Sequence, residues 1–159
     1  MTDSKIAYMS TKYGIDIFDG ADRPQLVVAG DYVLSGMHKG SVHVEAGKLH
    51  LDGTHQGSLD VQTGVEVLIR GGQQGSVNVA TGARVLITGS INGSAHVARG
   101  GTIIVESGGK FAGSLSNYGD VIVRGVFGGT TSGDRGVRLE GDGYIKQPLF
   151  RDGVNYYEW

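Results

Sequence analysis

Leu49, Val67, Val85, Ile103 and Val121 occupy every eighteenth position of the chain, and Leu51, Ile69, Ile87, Val105 and Val123 keep the same interval two places on. A repeat this short confines the chain to architectures in which each unit touches only its neighbours. The units also share a glycine-serine opening: "GSVHVEAG" at 40, "GSLDVQTG" at 57, "GSVNVATG" at 75, "GSAHVARG" at 93 and a decayed "GSLSNYG" at 113. A unit holding two apolar-x-apolar strands and glycine corners is too short for a helical repeat and shows no helical spacing. It fits one turn of a single-stranded parallel β-helix, in which like residues stack about 4.8 Å apart and form continuous ladders.

The expected fold is therefore all-β, a β-solenoid of about 18 residues per turn, with seven turns spanning roughly 34 Å. The Leu51 column, continued backwards, lands on Val33 and then Ile15, while the Leu49 column continues forward to Leu139. Those extrapolations predict one domain over 1–159: an N-terminal cap over 1–12, regular turns over 13–126, and an irregular last turn with an aromatic segment over 127–159. Gly47, Gly64, Gly82 and Gly100 mark one corner, and Gly53, Gly71, Gly89 and Gly125 another. The third side, near His38, His55, Gln73, Ile91 and Phe111, is less regular in sequence and is expected to be looser. The serines at 41, 58, 76, 94 and 114 read as small hydroxyls beside tight corners that bond neighbouring backbone.

One position breaks the alternation of a half-buried strand. The middle residue of the first strand in each unit is polar (His43, Asp60, Asn78, His96, Ser116), but in the second strand His50 is followed by Leu68, Leu86, Ile104 and Ile122. Successive strand side chains point to opposite faces, so Leu86 must point outward when Val85 and Ile87 point inward. Covering four such side chains is worth at most about 6 to 12 kcal/mol. Two coverings are open: the tail "YIKQPLFRDGVNYYEW", with Phe150, Tyr156, Tyr157 and Trp159, folds back over the stripe, or the stripe is an intermolecular contact.

Composition narrows the chemistry. The 159 residues include no cysteine, 29 glycines and only two prolines, which excludes disulfides, thiolate metal sites and a Pro-rich linker. A net charge of -2 with no basic run speaks against nucleic acid. The opening "MTDSKIAYMSTK" lacks a secretory apolar run and no segment reaches membrane-spanning length, so a cytoplasmic location without a membrane span is expected. "SGGKF" around Lys110 lacks the first glycine and the hydroxyl of a phosphate-binding loop, and "GGTTSGDRG" is not a calcium-binding repeat.

His43 and His96 share a column three turns apart, too far for one metal, and His38 and His55 make at most half a site. His43 beside Asp60 reads as a solvated cross-turn pair. The period is also three times six, as in hexapeptide-repeat acyltransferases, although His55 and Gln73 break the aliphatic corner that class needs. No catalytic residue, metal or cofactor is expected.

The recurring "GSVxV...G...VxI.G...G" over about Val33 to Val126, in the units "GSVHVEAGKLHLDG", "GSLDVQTGVEVLIRG" and "GSVNVATGARVLITG", resembles the bactofilins, bacterial polymer-forming cytoskeletal proteins. The resemblance implies a right-handed solenoid that associates end to end without nucleotide. Members of that family carry short, often Pro-rich tails, whereas both ends of this chain are aromatic and the units decay from "GVFGGTTSGDRG" onward. The leading expectation is a non-enzymatic scaffold working by self-association and partner docking. Its rival is an immunity protein that blocks a bacterial toxin with the stripe and the aromatic ends; a hexapeptide-type enzyme is a third reading.

Overall fold

The computed structural model describes residues 6–18, 20–146, 149–151 and 153–156. Every regular element among them is a strand. Parallel coils stack into a three-sided solenoid with seven strands on its second face, in the order Tyr32–Leu34, Lys48–Leu51, Glu66–Ile69, Arg84–Ile87, Thr102–Val105, Asp120–Val123 and Val137–Leu139. The first face carries Val42–Val44, Leu59–Val61, Val77–Val79 and Ala95–Val97, and the third carries Met37–Lys39, Thr54–Gln56, Gly72–Gln74 and Ser90–Asn92. Lys110–Asn117 and Val126–Ser132 run unbroken round the corner between third and first faces and join them into one sheet.

Each column of the repeat is a ladder in register. Val67 pairs with Leu49 and Val85, and Ile103 with Val85 and Val121, each one repeat length from the next. Inward side chains from three faces meet in one core that runs from Leu26 to Phe127. Short strands suffice because stacking pairs each one along both edges. The backbone of every inner coil is hydrogen-bonded above and below, which answers the demand of buried N–H and C=O groups.

The column expected to reach back to Val33 and Ile15 does not. The coil from Tyr32 to Leu49 is one residue short of a full repeat, so Val33 pairs with His50 and Leu34 with Leu51. A one-residue slip exchanges the two faces of a strand, so Leu34 is buried and Val33 points outward. Ile15 lies outside the solenoid, in an antiparallel hairpin of Ala7–Phe18 with Ala21–Val28, and is 52% exposed. The parallel stack therefore begins with Leu26–Val28 against Val42–Val44. At the other end the coil from Val121 to Val137 is two residues short, which puts Leu139 beneath Val123 instead of continuing the Leu49 column.

The third side is as ordered as the other two. His38, His55, Gln73, Ile91, Phe111 and Phe127 form one inward column, and all but His38 are buried. His55 Nδ1 meets Gln73 Oε1 at 2.6 Å and its Nε2 meets the Gly40 carbonyl at 2.5 Å, while Gln73 Nε2 donates to the Gly57 carbonyl at 2.9 Å. Phe111 and Phe127 continue the column by stacking with centroids 5.2 Å apart. Satisfied polar groups thus occupy positions that an aliphatic pattern would assign to Ile or Leu.

The corner glycines serve two different purposes. Gly64 has φ +78°, and an added Cβ would meet nothing within 4 Å, so only its left-handed conformation requires glycine. At Gly71 an added Cβ would lie 1.9 Å from the carbonyl oxygen of Gly53 one coil below, so space is the constraint. Asparagine visits the left-handed region routinely. Gly64→Asn should therefore lower stability by less than about 1 kcal/mol, whereas Gly71→Asn or Gly71→Ala should cost about 3 kcal/mol or more by forcing adjacent coils apart. Urea unfolding of the three variants checks this; equal losses at both sites would contradict the distinction.

Candidate interaction surfaces

Two constructions stand out on the solenoid. On the second face, the middle outward column runs Val33, His50, Leu68, Leu86, Ile104, Ile122 and Arg138. Its alternation with the buried Val67, Ile69, Val85 and Ile87 follows the strand period. Leu68, Leu86 and Ile122 are half-buried, and Ile104 is only 4% exposed. A groove of about 310 Å³ runs along one side of Ile104 and Ile122, lined by the flanking column Arg84, Thr102 and Asp120 and by Arg138. A second groove, of about 230 Å³, adjoins it at Asp120, Ile122, Arg135 and Arg138.

The flanks are ion-paired along the stack. Lys48 meets Glu66 at 2.8 Å on one side, and Arg70 meets Asp52 at 2.7 Å on the other. Further along, Arg124 bridges Glu106 at 2.7 Å and Glu140 at 3.1 Å; the hydrogen bonds it donates to these two carboxylates, Glu140 first, raise its pKa. Among the described residues, Leu149–Arg151 and Val154–Tyr156 pair with each other as a two-stranded antiparallel sheet, which holds Phe150 and Tyr156. Tyr157 and Trp159, the other two tail residues singled out from the sequence, lie outside the described residues.

The second construction was not foreseen from the sequence. The register of the N-terminal hairpin breaks between Ser10 and Ile15, and the residues of that bulge lie over the first face. Tyr13 stacks on His43 with centroids 4.1 Å apart. Its phenol donates a short hydrogen bond to Glu45 and accepts one from Gln62 Nε2 at 2.9 Å, while Lys12 Nζ reaches Glu45 at 2.6 Å. His43 does bond Asp60, at 3.1 Å; the Asp60 side chain is 34% exposed, while that of His43 is 13% exposed beneath the tyrosine, so solvent reaches the pair from the Asp60 side.

Deeper in, the Asp16 carboxylate accepts from the Ser41 amide at 2.6 Å, the Ser41 hydroxyl at 3.1 Å and Gln25 Nε2 at 3.0 Å. Gln25 Oε1 in turn meets His43 Nε2 at 2.6 Å. Ser58 donates to Ser41 at 2.9 Å, so the first two members of the serine column bond each other as well as the hairpin. This network could have been sought in the sequence only by noticing that Asp16 and Tyr13 are polar partners without a unit of their own. The contacts of Asp16 and Tyr13 with the solenoid coils, to Ser41 and Gln62 among others, span 25 to 49 residues and leave no short-range signal.

The histidines pair as their columns require. His38 and His55 are adjacent, with ring centroids 5.5 Å apart, and burial first, then His55, lowers the pKa of His38. Both ring nitrogens of His55 are already bonded within the core. Among the described residues no group of three or more His, Asp or Glu side chains is placed to hold a metal ion. No helix is long and apolar enough to cross a membrane.

The Lys12–Glu45–Tyr13 clasp gives the hairpin a pH signature. The hydrogen bond from Lys12, then that from Tyr13, holds Glu45 below its ordinary carboxylate range, while Glu45 raises both Lys12 and Tyr13. A carboxyl with a depressed folded pKa stabilises fully above its unfolded value and loses that contribution as pH falls through the folded one. Amide exchange in Ala7–Phe18 should therefore quicken below the normal carboxylate range while the inner coils stay protected. Glu45→Gln should show the fast exchange already at neutral pH, and a pH-independent hairpin in the wild type would contradict the clasp. Compared with known protein families, curated proteins and solved structures, the chain has no match.

Proposed function

We propose that this chain is a non-catalytic scaffold of bactofilin type that associates end to end and docks partners along its length. The observation that carries the reading is where apolar surface is left in water. Of the ten large hydrophobic residues that are exposed among those described, nine lie in the terminal coils. Met9, Tyr13, Ile15, Ile17, Val33 and Met37 are at the N-terminal end, Leu139, Tyr144 and Ile145 are at the C-terminal end, and only Tyr118 lies between.

At the C-terminal end two of the three exposed residues belong to core columns. Leu139 stacks on Val123 and Ile145 on Phe127, yet they are 46% and 42% exposed. A parallel solenoid that stops on core-column side chains and strand edges offers a ready template for another copy. The N-terminal end presents a different surface, an antiparallel hairpin with Ile15 and Ile17 outward. Two unlike apolar ends favour a head-to-tail contact, and a head-to-tail contact that does not close on itself propagates.

Sedimentation velocity over a roughly hundredfold concentration range tests this by mass action. The expected result is a series of growing species that Leu139→Lys with Ile145→Lys truncates to the smallest one, with the circular dichroism spectrum unchanged. A wild-type protein that holds one size throughout would overturn end-to-end association and direct the search to a heterologous protein partner.

A further inference from the structure

The second face carries three outward columns, and their charges follow a pattern that pairing within one chain does not require. The ladder on which each strand enters is Lys48, Glu66, Arg84, Thr102 and Asp120, all in register. The ladder on which each strand leaves is Asp52, Arg70, Thr88, Glu106 and Arg124, one coil apart in turn. Read across the face, Lys48 shares a rung with Asp52, Glu66 with Arg70, and Asp120 with Arg124, while Arg84 sits opposite Thr88 and Thr102 opposite Glu106. No rung has the same sign on both flanks. Ion pairing along the stack needs alternation within a ladder only; it does not fix one ladder relative to the other.

We propose that this face pairs with the same face of a second copy, about a two-fold axis parallel to the solenoid axis. Such a rotation exchanges left and right but keeps each rung at its own height, so the entry ladder of one copy meets the exit ladder of the other. Lys48 then faces Asp52, Glu66 faces Arg70 and Asp120 faces Arg124 of the other copy, twice each. The half-buried Leu68, Leu86 and Ile122 meet their own counterparts on the axis, on either side of the buried Ile104, and are closed from water.

The competing two-fold, perpendicular to the solenoid axis, lays each ladder on itself in reverse. Centred on the Leu86 rung it sets Arg84 against Arg84. Centred between the Leu86 and Ile104 rungs it sets Glu66 against Asp120 and Arg70 against Arg124. Like charges juxtaposed across an interface suppress both of these registers, and the parallel axis avoids them.

Six rungs at about 4.8 Å and five residues at about 3.3 Å give roughly 500 Å² of plane per copy, at the low end for a specific interface. The pairing is therefore a concentration-dependent one. The flanking charges are not already sequestered, because the side chains of Lys48 and Arg70 are 44% and 48% exposed in their pairs within the chain. This contact is separate from the end-on association proposed above, which uses neither ladder.

The chain has no cysteine of its own, so introduced thiols report the geometry without background. His50→Cys and Ile122→Cys, each alone, should be joined into covalent dimers by a short bismaleimide, because each residue meets itself across a parallel axis. Linking only in a mixture of the two variants would establish the perpendicular axis and overturn the proposal. Arg70→Glu should weaken the dimer by roughly tenfold or more by placing like charges on a rung twice over.

Adding Glu66→Arg should restore the dimer, although that double variant leaves both pairs within the chain broken and its melting temperature low. A merely structural role for these charges predicts the opposite, a dimer that fails with the fold. Leu139→Lys with Ile145→Lys should leave the cross-linked dimer intact while abolishing longer assemblies. Absence of any lateral dimer in that end-blocked variant would overturn the face contact without bearing on the end-on one.

Discussion

Everything in this molecule depends on the contact between a corner carbonyl and the glycine stacked on it. Adjacent coils stand one strand spacing apart only where no Cβ intervenes, as at Gly89, where an added Cβ would sit 2.0 Å from the Gly71 carbonyl oxygen. Once the corners can approach, the hydrogen bonds from coil to coil close in register: Gly72 donates to Gly53 and Ser90 donates to Gly71. The apolar ladders then have no freedom to shift, because a slip by one residue would turn every inward side chain outward. Glycine content, strand shortness and core order are one constraint seen at three scales.

The same constraint explains how the stack tolerates unequal coils. From one first-face strand to the next the chain advances eighteen positions between Val77 and Ala95, but twenty between Ala95 and Leu115 and sixteen between Leu115 and Thr131. Extra and missing residues are absorbed where the chain turns, while the paired strands keep their register, since loops accept length changes cheaply and ladders do not. That is why the hydrophobic columns remain continuous into Phe127 although the glycine-serine spacing has already drifted.

Legibility in the sequence followed from which residues carried the pattern. The first two faces were readable because Val, Ile and Leu alternate with polar residues there, and the outward Leu86 was readable because it violates the alternation. The third face was not, because His55 and Gln73 do a core residue's work through hydrogen bonds to Gly40 and Gly57, which leave no trace in hydrophobicity. Val33 and Leu139 were misplaced for a different reason: an exact period was extended across coils one and two residues short, and nothing local marks the deletion. The hairpin was hidden because Asp16 and Tyr13 find their partners far along the chain, at Ser41, His43 and Glu45.

These elements divide the surface into parts with opposite tasks. A solenoid has two ends and three sides, and each strand edge or aliphatic strip left open invites contact. The N-terminal hairpin caps the parallel strands of the first face with an antiparallel one, and the Asp16 network ties it to the first two serines of the stack. On the second face the opposite solution is used. The aliphatic column is kept, with ion pairs along both flanking ladders, and Ile104 within it is only 4% exposed. Charges placed in this way penalise contact with an arbitrary apolar surface, since such a surface would strip water from the flanks and return nothing. They penalise least a surface whose own flanks carry the complementary order. The ladders that flank the strip thus restrict what can cover it.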